Sequence, residues 1–98
     1  MTSTDDINTT LIERGKTYGE FAYHAKVTQD LKRTIIEHIN IFNDPMKFSP
    51  DQLEAIDMIC HKLGRIANGD PSYVDSWHDI AGYAELVVKR LNSNAFTV

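Results

Sequence analysis

The chain has 98 residues, 42% of them hydrophobic and 24% charged, with a formal net charge of −4. That length and balance fit one ordered domain with a modest core. The acidic balance excludes a sequence-independent nucleic-acid binder, which needs a surplus of Lys and Arg to displace counterions. Cys60 is the single cysteine, which rules out an intrachain disulfide, and no apolar run approaches the roughly 20 residues of a membrane span.

In chain order, a short helix is expected over about 5–14, with Ile7, Leu11 and Ile12 on its apolar side. Thr4 or Asp5 would cap it, and Gly15 would end it, since glycine commonly sits just past a helix terminus. A long second helix is expected over about 20–43. Phe21, Val27, Leu31, Ile35, Ile39 and Phe42 recur there in steps of three and four, the signature of a helical stripe. Asp44-Pro45 closes it, because the residue before proline is pushed out of the helical region.

The third helix has the clearest start. Ser49-Pro50-Asp51-Gln52 combines a hydroxyl at the cap, proline at the first helical position and glutamine three residues on, which makes a capping box. Leu53, Ile56, Cys60, Leu63 and Ala67 share its apolar face, and Asn68-Gly69 stops it. A turn follows at Gly69-Asp70-Pro71. The fourth helix starts near Ser72 or Asp75 and runs to about Asn92, with Ile80, Ala84, Val87 and Leu91 as its stripe.

Four helices and short loops predict an all-α fold: a single small bundle over residues 1–98, with a long second helix. That helix carries Ile35, Ile36, Ile39, Ile41 and Phe42 on more than one side, so burying the surplus predicts a homo-oligomer. The polar opening MTSTDDINTT is unlike a secretory leader, and the expected location is the cytoplasm.

Gly15-Lys16-Thr17 invites comparison with a phosphate-binding loop. Such a loop needs another glycine with four residues between it and the first of these, and a strand leading into it. Position 10 is Thr10 and the preceding segment reads as a helix, so this is not that loop. Arg14, Lys16, Tyr18 and Glu20 nevertheless crowd one turn. Glu20 and His24, Asp57 and His61, and Asp75 and Asp79 are each four apart and therefore share helical faces. In a bundle, facing polar pairs of this kind build metal or phosphate sites. Mg²⁺ would prefer the carboxylates of Asp75 and Asp79 with Glu20 or Asp57, keeping several waters and bridging a ligand phosphate. Lys62 and Arg65 would meet the phosphate itself, Arg65 in bidentate fashion. Ser76 has Asp and His nearby in sequence, but at spacings that do not face one another on a helix, so no catalytic residue is assigned.

Glu13-Arg14-Gly15-Lys16-Thr17-Tyr18-Gly19-Glu20-Phe21, His24-Ala25, Lys62-Leu63-Gly64-Arg65-Ile66-Ala67 and the run from Asp75 to Ala84 occur in an order that resembles a family of small phage and prophage domains of unknown function. Tyr18-Gly19, Lys62 with Arg65, and Asp75 with Asp79 also resemble the outline of nucleotide-modification-associated domains. Asp75 and Asp79 further resemble the acidic pair on a later helix of the all-α nucleoside triphosphate pyrophosphohydrolases of MazG type, whose Glu-Glu-x-x-Glu motif this chain lacks.

The resemblance implies an accessory protein of phage or prophage origin, in the host cytoplasm, that binds a nucleotide or related phosphorylated ligand with Mg²⁺ and weak pyrophosphohydrolase activity. Lys62, Arg65 and Lys16 would then neutralise phosphate, with Arg14 and His24 as further ligand contacts, while Tyr18 or Trp77 stacks on the base. The alternative is a non-enzymatic protein that disables a host defence factor by contact. In that case the motifs are structural, including ion pairs of Arg65 with Asp75 or Asp79.

Overall fold

The computed structural model describes residues 4–93, with side chains from Asp6 to Ser93. Four helices account for most of it: α1 (Thr4–Tyr18), α2 (Phe21–Phe42), α3 (Pro50–Asn68) and α4 (Val74–Ser93). A short 3-10 turn over Pro45–Lys47 joins α2 to α3. Among the described residues there is no strand, so the predicted all-α bundle is the observed fold. The expected caps Thr4 and Asp5 lie outside the residues with described side chains.

The signals at α3 act as expected. Pro50 occupies the first turn, and the Ser49 backbone N–H donates to Gln52 Oε1 at 2.9 Å in a capping box. α2 ends at Phe42, where Asn43 leaves the helical region, and the Asp44 side chain accepts from Met46 N–H to start the 3-10 turn. After α3, the Asp70 carboxylate accepts from Ser72 N–H at 2.9 Å and reverses the chain.

The first helix departs from expectation. α1 continues through Gly15 to Tyr18, and Gly15 is an ordinary helical residue with open space where a Cβ would stand. Glycine lowers helix stability but does not forbid the helix, so without a tertiary reason to turn, the chain carries on. The turn comes four residues later at Gly19, the one described glycine with positive φ, at 78°. There a side chain would also run into the Asn68 carbonyl. Asn68 fixes this corner from the far side, its Nδ2 donating to the carbonyls of Tyr18 (3.1 Å) and Glu20 (2.9 Å). The Asp70 N–H donates to the Thr17 carbonyl at 2.8 Å. The α1–α2 corner is thus clamped to the end of α3.

α3 is the hub. α2 and α4 each pack extensively on it but form no comparable interface with one another. On the α2 side, Gly64 meets Thr28 and His24, and Asp57 faces Lys32 at 4.0 Å. On the α4 side, Lys62 meets Asp79 at 3.0 Å and Asp51 meets Arg90 at 2.8 Å. At about 100° per residue, positions 51 and 62 lie roughly opposite 57 and 64. α2, α3 and α4 therefore form one layer, with α1 at one end. Ile39, Ala55 and Cys60 are the described apolar residues that reach full burial. Phe21 and Phe42, expected at the ends of the α2 stripe, are 78% and 74% exposed. They sit in the first and last positions of a 22-residue helix that outreaches its 19-residue neighbour. Ile7, Leu11 and Ile12 of α1 are also exposed.

The α2–α3 seam is tight at Gly64, where an added Cβ would overlap Thr28 Oγ1 and come within 2.9 Å of His24 Cδ2. Gly64→Ala should lower unfolding free energy by about 1–3 kcal/mol through overpacking. Gly15→Ala should instead raise it by roughly 0.5–1 kcal/mol through helix propensity. Urea denaturation of both variants checks the pair; equal effects would contradict these two environments.

Candidate functional site

The clamped corner brings four aromatic and charged side chains into one cluster. The Arg65 guanidinium on α3 sits over the Tyr18 ring, 4.2 Å from its centroid. Such stacking contributes about 0.5–2 kcal/mol, depending on exposure, and leaves the planar N–H edge open. Tyr73, just ahead of α4, meets the Tyr18 ring edge-on with centroids 5.8 Å apart. A hydrogen bond to the Asp75 carboxylate is the main cause that raises the Tyr73 hydroxyl pKa. About a turn of α3 away, Lys62 holds Asp79 at 3.0 Å; that hydrogen bond is the main cause of the lowered Asp79 pKa. Tyr18, Arg65, Tyr73 and Asp75 are thus linked by contacts, while Lys62 and Asp79 form a separate pair that does not line the same cleft.

Along the linked residues lies an open cleft of about 280 Å³. Thr10, Glu13, Arg14, Thr17 and Tyr18 of α1 form one wall, and Arg65 with Tyr73 the other. Among the described residues neither Arg14 nor Arg65 belongs to an ion pair. Two guanidinium groups without carboxylate partners, beside two phenol rings, can receive an anion and a flat apolar group together.

The remaining residues singled out in the sequence lie elsewhere. Lys16 is exposed on α1 and does not line the cleft. Glu20 is exposed at the corner, where its backbone carbonyl is held by Asn68. Trp77 is half exposed on α4 and donates its indole N–H to the Pro71 carbonyl at 2.7 Å, bracing the turn. His24 is 5% exposed inside the α2–α3 seam. Its Nε2–H donates to the His61 carbonyl at 3.2 Å, and the two imidazoles meet edge to face at 4.7 Å. His24 is therefore a packing residue in this conformation.

Asp75, Asp79 and Glu20 do not gather. Among the described residues no three His, Cys, Asp or Glu side chains come close enough to hold a metal ion. Asp79 faces the Lys62 ammonium and Asp75 engages Tyr73. The expected pairing of Arg65 with either aspartate is also replaced, since Lys62 takes Asp79 and Arg65 takes the Tyr18 ring.

Two features carried no local sequence signal. Tyr73 sits in a turn outside any periodic stripe. Arg90 grips Asp51 from 39 residues away, with Nε to Oδ2 at 2.8 Å and one terminal nitrogen to Oδ1 at 2.9 Å, and it also reaches Ser49 Oγ. This two-pronged contact, with help from Ser49, holds the Asp51 pKa down to about 2. It ties the start of α3 to the end of α4, at the opposite end of the layer from the cleft.

Comparison of the chain with protein-family models, with curated proteins and with solved structures finds no match.

His61 supplies a pH test of the seam. Its pKa is lowered to about 4, first by burial and then by the nearby Arg65, His24, Lys62 and Lys32. A folded-state pKa below the unfolded value of about 6.5 means that the unfolded chain binds more protons between them. The His61 contribution is complete above about pH 6.5 and is lost as pH falls toward 4. The melting temperature should drop over that window, and His61→Gln should flatten the drop. An identical slope in the variant would contradict this.

Proposed function

We propose that this chain is a small accessory protein of phage or prophage origin that binds a nucleotide or a related phosphorylated ligand in the cleft between α1 and the Arg65–Tyr73 wall. The observation that carries the reading is the stacking of Arg65 on Tyr18 beside Tyr73, with Arg14 facing it and neither arginine ion-paired among the described residues. Stacking holds the Arg65 guanidinium in place, so little side-chain entropy is lost when it meets a phosphate. Arg14 neutralises a second anionic oxygen. Tyr18 and Tyr73 offer ring edges and hydroxyls to a base or ribose. The likeness of the ERGKTYG, KLGRIA and DSWHDIAGYA segments to small phage and prophage domains supports the same reading.

The reading is binding rather than hydrolysis. Metal-assisted attack on a phosphate would need carboxylates gathered around the ion, and the described residues do not gather three. Mg²⁺ therefore enters only as a companion of the ligand's own phosphates, and no step is routed through it. A second reading, contact with a host protein, draws on the exposed apolar side chains Phe21, Tyr23, Ile41, Phe42 and Met46.

Isothermal calorimetry with a panel of nucleoside mono-, di- and triphosphates, with and without Mg²⁺, tests the proposal. At least one should bind. Arg65→Ala should weaken that binding about 10- to 100-fold, the loss of charge-assisted hydrogen bonds, while helical circular dichroism is retained. No heat from any phosphorylated ligand, or binding unchanged in Arg65→Ala, would contradict it.

A further inference from the structure

Independently of any ligand, the layer formed by α2, α3 and α4 has an unfinished side. Helical domains bury their apolar stripes between at least two packed layers, and here α3 has α2 on one flank, α4 on the other, and two open faces between them. The two faces differ in chemistry. Gln52, Ile56, Ile59 and Leu63 project from one side of α3, and Glu54, Met58, His61 and Arg65 from the other. α4 divides in the same way: Trp77, Ile80, Ala84, Val88 and Leu91 follow one side, while Asp75, His78, Glu85 and Lys89 lie elsewhere on the helix.

The like faces adjoin. Phe48, Gln52, Ile56, Ile59 and Ala84 line one shared depression of about 330 Å³. Glu54, Tyr83, Leu86 and Arg90 line another, on the opposite side of the pair. The first face has no charged residue at any of the α3 and α4 positions just named, yet Leu63 is 37%, Val88 47% and Leu91 49% exposed.

We infer that this uncharged α3–α4 face is the interface with a second copy of the same chain, packed layer on layer about a two-fold axis. Two observations select that occupant. A two-fold interface must complement itself, and a face without charges meets its own copy with no like-charge repulsion. A partner chosen by charge would find nothing here to select it. The chain as a whole also has surface to spare. The chain exposes 7270 Å², whereas a compact monomer of 11.1 kDa exposes about 5,700 Å². The surplus of about 1,600 Å² is spread over the whole chain, α1 included, and leaves room for the roughly 800 Å² that one partner gives to a standard stable interface. The polar face, including the Arg65–Tyr18 cluster, remains outward in the dimer.

Sedimentation equilibrium of the purified chain at tens of micromolar tests this, with Val88→Glu and Leu86→Glu as a matched pair. Both residues are exposed on α4 in the single chain, on opposite faces. The native chain and Leu86→Glu should sediment at twice the 11.1 kDa chain mass, and Val88→Glu should sediment at the single-chain mass. Should Val88→Glu fail to fold, the native melting temperature decides: a rise with protein concentration supports the dimer. A native chain that is monomeric, or whose melting temperature is independent of concentration, would overturn the inference. So would dissociation by Leu86→Glu with Val88→Glu still dimeric, or a native chain whose α3–α4 face takes up a different protein in place of its copy.

Discussion

The close approach of α2 to α3 at Gly64 is the constraint on which the rest of the molecule depends. With no side chain at position 64, Thr28 and His24 lie directly against the α3 backbone. That contact fixes which flank of α3 belongs to α2. α4 takes the opposite flank through Lys62–Asp79 and Arg90–Asp51. Once both flanks are occupied, the two remaining faces of α3 have different fates. The polar one ends at Arg65 and reaches the α1–α2 corner; the apolar one stays open. A looser seam would let α2 roll, and the corner carrying Tyr18 would roll with it.

The corner works as a second anchor. Gly19 turns the chain, Asn68 holds two carbonyls across the turn, and the Asp70 N–H caps Thr17. These contacts are backbone-centred and need only Gly, Asn and a well-placed amide. The side chains around them are therefore free for other work. Arg65 is placed over Tyr18 by the fold, not by a carboxylate, so its donors stay available. The same logic explains why Lys62, one turn earlier and paired with Asp79, contributes less to the open cleft than its spacing with Arg65 suggests.

Much of this was legible in the sequence, for reasons that can be named. α2, α3 and α4 carry long apolar periodicities, and Ser49-Pro50-Asp51-Gln52 specifies the start of α3 by local hydrogen bonding alone. Gly15 is a local stop signal where tertiary structure supplies no turn; the turn belongs to Gly19, which has positive φ and whose missing side chain leaves room for Asn68, 49 residues away. The grouping of Tyr18 with Arg65 was suggested by the resemblance to nucleotide-modification-associated domains and by no spacing along a helix. Tyr73, Arg90 and the burial of His24 were hidden, because each depends on contacts 37 to 55 residues distant and on no pattern of its own. The acidic residues show the converse. Spacing by four put Asp75 and Asp79 on one helix face, but that could not reveal that Tyr73 and Lys62 already engage them.

The central claim is that Tyr18, Arg65 and Tyr73 form one receptive surface on the polar side of α3. Titrating isotopically labelled protein with a phosphorylated nucleotide, and following backbone amide and arginine side-chain resonances by NMR, tests it most directly. The account predicts that the largest shifts fall on Thr17, Tyr18, Arg65 and Tyr73, with the α3–α4 face around Ile59 and Val88 unmoved. Shifts centred on that apolar face, or on the Arg90–Asp51 end of the layer, would contradict it.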